Sequence, residues 1–118
     1  MWWVMLFLAL PAQAQRPFCE FGTALAALRE ADAVMAAPVP GLIEGRDRAG
    51  QAVARLEAAA ATLTGCGCAD AAARASEATR LAEEARQGGS TAGIAASFAQ
   101  ARTRIGWTQQ ALGTRGCR

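Results

Sequence analysis

Apolar side chains recur along this chain at spacings of three and four, and no stretch alternates apolar with polar over the length of a strand. That periodicity is the signature of helices with one buried face. Alanine fills much of the sequence between the large residues, which also favours helix. Three breaks divide the pattern. Pro38-Val39-Pro40-Gly41 stops a helix because proline cannot continue one. Gly65-Cys66-Gly67-Cys68 is a second stop, and Gly88-Gly89-Ser90 a third, with Ser90 or Thr91 as the next N-cap. The prediction is four helices, over about 19–37, 42–64, 69–87 and 91–113.

Each predicted helix has a readable face. The first places Phe21, Leu25, Leu28 and Met35 together. The second repeats Leu42, Ala49, Leu56 and Leu63 every seventh position, with Val53 and Ala60 between them, as in a narrow bundle seam. Arg46 falls near the start of that stripe, where its long stem lets the charge reach water. The third has one large apolar residue, Leu81, flanked by Ala75, Ala78, Ala82 and Ala85. The fourth aligns Ile94, Phe98, Ala101, Ile105, Thr108 and Leu112. Glu44 with Arg48 and Asp70 with Arg74 are spaced for helical ion pairs, which mark solvated surfaces.

Short connections make neighbouring helices antiparallel, so the expected fold is all-α, an up-down four-helix bundle. In that topology the first helix starts, the second ends, the third starts and the fourth ends at the same pole. Cys19, Cys66, Cys68 and Cys117 therefore meet there. The expected pairing is Cys19–Cys66 with Cys68–Cys117, one staple per hairpin. The alternatives are the crossed pairing, Cys19–Cys68 with Cys66–Cys117, and a local Cys66–Cys68 closure, whose small ring is geometrically demanding. Each half of the chain starts near a cysteine, runs through a shorter and a longer helix, and ends in Gly-Cys. A duplicated helical hairpin explains this, and so does chance likeness between alanine-rich helices.

The N-terminus changes the picture of where the domain resides. Trp2 to Leu10 is an unbroken apolar run, Pro11 interrupts it, and Ala12-Gln13-Ala14 has the form of a signal peptidase site. The run is too short to span a bilayer as a helix. No Lys or Arg precedes it. The expectation is a cleaved signal peptide over 1–14 and a single helical domain over 15–118, periplasmic or secreted, from a bacterium. An uncleaved interfacial anchor, or a start further upstream, is the alternative. Export and an even cysteine count agree with one another.

Charge and chemistry narrow the function only by exclusion. The net charge is +2, all basic residues are arginine, and acids are interspersed in every segment. No basic stripe suggests nucleic acid. Without histidine the usual general base is missing, and Ser76, Ser90 and Ser97 sit in no nucleophile motif. Glu83 and Glu84 are adjacent and diverge on a helix, and Asp32 reads as a helix-edge carboxylate reaching solvent or an arginine. No catalytic residue, cofactor or metal site is therefore predicted.

Two features remain. Cys66-Gly67-Cys68 offers two thiols one residue apart, which suggests disulfide exchange or metal handling. No Lys or His stands by to activate a thiol, and zinc knuckles use a wider spacing. Trp107 lies about 180° around its helix from Phe98, with Gln100, Thr103, Arg104 and Gln110 on the same side. Tryptophan beside arginine is the composition of an interface hot spot. The plainer reading of Trp107 is cover by Arg16-Pro17-Phe18, or a wider bundle. The function expected is an exported, non-enzymatic binding module for an unknown protein or ligand, with Trp107, Arg104 and Gln110 as contacts. The alternative is a periplasmic thiol–disulfide or metal-handling protein built on Cys66-Gly67-Cys68.

Overall fold

The computed structural model describes residues 19–112 and Cys117. The expected signal segment 1–14, residues Arg16-Pro17-Phe18, and Thr114-Arg115-Gly116 of the second Gly-Cys ending lie outside the described residues. The helices are α1 (Phe21–Ala36), α2 (Leu42–Gly65), α3 (Ala69–Arg86) and α4 (Thr91–Gln110). Among the described residues there is no strand, only an isolated bridge between Leu112 and Cys117.

The ends differ from the expected ones where local physics intervenes. α1 begins at Phe21 rather than near Cys19, because the Glu20 carbonyl already accepts the first helical hydrogen bonds, from the N–H groups of Thr23 and Ala24. It stops at Ala36, and Ala37 is extended (φ −68°, ψ 144°) because a following proline disfavours the helical region. α4 ends at Gln110, short of residue 113. The Ala111 N–H is shared between the Trp107 and Thr108 carbonyls, and Leu112 bonds back to Gln109, so the last turn tightens and closes.

α1 packs on α2, α2 on α3 and α3 on α4, and a looser α1–α4 contact completes the ring. The cysteines show that the neighbours run antiparallel. Cys19–Cys66 joins the start of α1 to the end of α2, with Cα atoms 5.1 Å apart, and Cys68–Cys117 joins the start of α3 to the chain beyond α4, at 5.4 Å. The bundle is thus stapled at one pole, one disulfide per hairpin, in the expected pairing. The two loops so closed are nearly equal, at 47 and 49 residues of separation.

Between the staples, α2 ends in a Schellman turn. The Cys68 N–H donates to the Leu63 carbonyl at 2.9 Å and the Gly67 N–H to the Thr64 carbonyl at 3.0 Å. Gly67 takes the left-handed φ of +78° that this turn requires. The turn makes Cys66 the C-cap of α2 and Cys68 the N-cap of α3. Each cysteine then faces its own hairpin, and the local Cys66–Cys68 closure is not formed.

Leu28, Leu56, Leu63, Ile94, Phe98 and Ile105 form the bulk of the core. Every residue of the α4 face read from the sequence is buried, including Thr108, whose hydroxyl donates to the Arg104 carbonyl. The narrow seam of α2 is only part of its buried surface. Gly45, Ala52 and Ala59 form a second buried row, because α2 is packed by both α1 and α3. Leu42 and Ala60, placed in the seam, are only partly buried. α3 is held almost wholly by alanines, with Ala75, Ala78 and Ala82 completely enclosed.

At the opposite pole, arginines tie the connections down. Arg48 donates to the carbonyls of Ala37 and Pro38 and pairs with Glu44 at 2.8 Å, and Arg46 reaches the Gly88 carbonyl at 3.0 Å. Asp32 pairs with Arg102 across α1 and α4 at 2.9 Å, and Glu30 with Arg55 across α1 and α2 at 3.0 Å. These pairs are solvent-exposed and each contributes at most about 1 kcal/mol. Gly88 sits against the core, where a Cβ would fall 2.6 Å from Ile94 Cγ1 and 3.0 Å from the Ala85 carbonyl. Gly88→Ala is therefore expected to destabilise the bundle by about 1–3 kcal/mol through overpacking. Urea unfolding measures this, and an unchanged midpoint would show that the pole yields freely.

Candidate functional site

Trp107 lies on the flank of α4 turned away from Phe98, and it is 41% exposed although Phe98, nine positions earlier, is 2% exposed. Nine residues at 100° each account for the opposition. The Arg104 guanidinium carbon stands 4.3 Å from the centre of the indole ring. That is a cation–π contact of about 0.5–1 kcal/mol at an exposed site. Arg104 is also ion-paired at 3.6 Å with Glu77 of α3. Its side chain is thus held between a carboxylate on one helix and an aromatic face on its own.

Beside the ring is an open depression of ≈ 500 Å³, lined by Asp70, Arg74, Trp107, Gln110 and Ala111. Asp70 and Arg74 come from the first turns of α3 and are paired with each other at 3.4 Å. Gln110 and Ala111 come from the end of α4. The structure therefore brings Trp107, Arg104 and Gln110 to one flank. Of the other two residues on that side of the helix, Gln100 is exposed and Thr103 is exposed with its hydroxyl bonded to the Ala99 carbonyl. Asp70, Arg74 and Glu77 were not read as part of a site from the sequence. The signal was available in the topology: an up-down bundle places the start of α3 beside the end of α4, and the Asp70–Arg74 spacing had already marked an outward face.

The cysteine turn is different in kind. None of the four cysteines is free, and Cys66 and Cys68 are bound to Cys19 and Cys117 rather than poised as a pair. Among the described residues, no group of three or more His, Cys, Asp or Glu side chains is placed to hold a metal ion. No described helix is long and apolar enough to cross a membrane. The two disulfides are consistent with an oxidising compartment. Among the described residues, Ile43, at 85% exposed, is the other large apolar side chain in water, and it lies at the opposite pole. No protein-family model matches the chain, and neither curated proteins nor solved structures give a match.

Proposed function

We propose that this protein is an exported, non-enzymatic helical module that binds a partner through Trp107, with Arg104 and Gln110 at its edge. The observation that carries the reading is the partly exposed indole with an arginine braced on its face. A few hot-spot residues carry most of the energy in protein interfaces, and tryptophan and arginine are enriched among them. Ordering a free arginine on binding costs about 0.5–1.5 kcal/mol, and here Glu77 and the ring already order it. Asp70, Arg74 and Gln110 around the depression offer both donors and acceptors to a polar rim. The two disulfides and the apolar leader fit a periplasmic or secreted location.

A photo-crosslinking phenylalanine analogue placed at position 110, exposed at the edge of the depression beside the indole, in the cells that make the protein, tests the reading. The control is the same analogue at Glu57, exposed on α2. The expected result is a discrete adduct from position 110, none from position 57, and loss of the adduct when Trp107→Ala or Arg104→Ala is added. Identical adducts at both positions, or none at either, would overturn the binding face. The same samples give intact masses. A mature chain beginning at Gln15 is expected, and intracellular protein retaining Met1 would remove the export half of the proposal.

A further inference from the structure

We infer that the partner of the Trp107 face is a second copy of this chain, held about a two-fold axis, with the binding face proposed above as the premise. A two-fold contact needs a patch that is its own complement, because whatever one residue meets on the other copy must meet it in return. The Trp107 patch meets that condition in shape. It carries a projection, the indole at 41% exposed, and directly beside it a hollow, the ≈ 500 Å³ depression of which the ring forms one wall. An axis through the rim between them sets each indole in the hollow of the other copy. Sites for small molecules enclose most of their ligand in apolar surface. This hollow is open, with a single aromatic wall and a polar rim, and it suits a side chain carried on a second surface.

The patch meets the condition in charge as well. Two-fold symmetry brings like residues towards one another, so a patch of one sign repels its own copy. Here Asp70 and Glu77 stand with Arg74 and Arg104 in two ion pairs, at 3.4 and 3.6 Å, and their charges cancel. Along α3 the sign alternates at successive turns, from Asp70 to Arg74 to Glu77. A strongly acidic or basic partner has no match for half of these groups, whereas a second copy brings both signs across the same span.

The hollow also supplies what a buried indole needs. Its N–H requires an acceptor once it leaves water, and its ring favours a cation on its face. Arg104 of the same chain already covers one face, its guanidinium carbon 4.3 Å from the ring centre. The second copy brings Asp70, whose side chain is 76% exposed, as acceptor for the N–H, and Arg74 for the remaining face.

Sedimentation velocity on the protein recovered from the cells that make it, at about 1 μM to 1 mM, tests the inference. With one aromatic anchor per copy the dimer belongs to the weak, transient class, and it is expected to be half-formed at about 10–100 μM. Trp107→Ala is expected to weaken it at least about tenfold. Asp70→Arg leaves the indole in place and turns the balanced patch positive. It is expected to weaken the dimer by about the same factor, with partial recovery in high salt. The adduct from position 110 is expected at twice the mass of the chain. A dimer that neither substitution weakens would overturn the second copy as partner. A monomer across the whole range, with a position-110 adduct that holds a different protein, would also overturn it and leave the binding face standing. A monomer without any adduct would remove both.

Discussion

Complete reduction is expected to lower the melting temperature by tens of degrees. The two disulfides close loops with sequence separations of 47 and 49, and in the chain-entropy account each restriction of the unfolded chain is worth about 4 kcal/mol. A domain of this size has a total stability of about 5–15 kcal/mol, so the two together form a large part of it. The core has little to replace them with. α3 buries Leu81 and otherwise only alanines, and α1 contributes Ala24 and Ala31 beside Leu28 and Met35. Small side chains let backbones approach closely but remove little apolar area from water. Each kilocalorie lost moves the melting point of such a domain by about 4–8 °C. Circular dichroism melts with and without reductant check this. A reduced protein melting within a few degrees of the oxidised one would show that packing suffices by itself.

Two substitutions on α4 should have opposite effects. Phe98→Ala removes one of the largest fully enclosed side chains in the protein and is expected to cost about 3–5 kcal/mol. Trp107→Ala removes a larger side chain but one that is 41% exposed, and its loss should cost less than about 1.5 kcal/mol. The photo-crosslinking partner, by contrast, should be lost with Trp107→Ala. In the proposed mature chain, cleaved after Ala14, Trp107 is the only tryptophan, since the others are Trp2 and Trp3. Its emission therefore reports this site alone, and a solvent-exposed, red emission is expected in the free protein. A strongly blue emission together with a loss of stability matching Phe98→Ala would place Trp107 in the core and end the interface reading.

Much of this architecture was determined by the linear sequence. Helix is required by the spacing of Ile94, Phe98, Ala101, Ile105, Thr108 and Leu112, because only a period near 3.6 puts them on one face, and all of them are buried. The three breaks, at Pro38-Val39-Pro40-Gly41, Gly65-Cys66-Gly67-Cys68 and Gly88-Gly89-Ser90, set the helix count at four. Short breaks imply antiparallel neighbours, and antiparallel neighbours bring the four cysteines to one pole. The outward position of Trp107 follows from the same angular arithmetic.

Other features exist only in three dimensions. The sequence left three cysteine pairings open, and the structure forms Cys19–Cys66 with Cys68–Cys117, while the Schellman turn at Gly67 gives Cys66 and Cys68 to different helices in place of a local closure. The second buried row of α2, Gly45, Ala52 and Ala59, carries no large side chain to announce it, and its burial comes from having helices on two sides. The pairing of Arg104 with Glu77, and the joining of Asp70 and Arg74 to Trp107, depend on the lateral offset between α3 and α4. Periodicity states which way a side chain faces on its own helix. Which side chain of a neighbouring helix it meets is set by how far the two helices slide along each other, and in a bundle packed through alanines that is decided by the fit of the whole core and by the staples at its end.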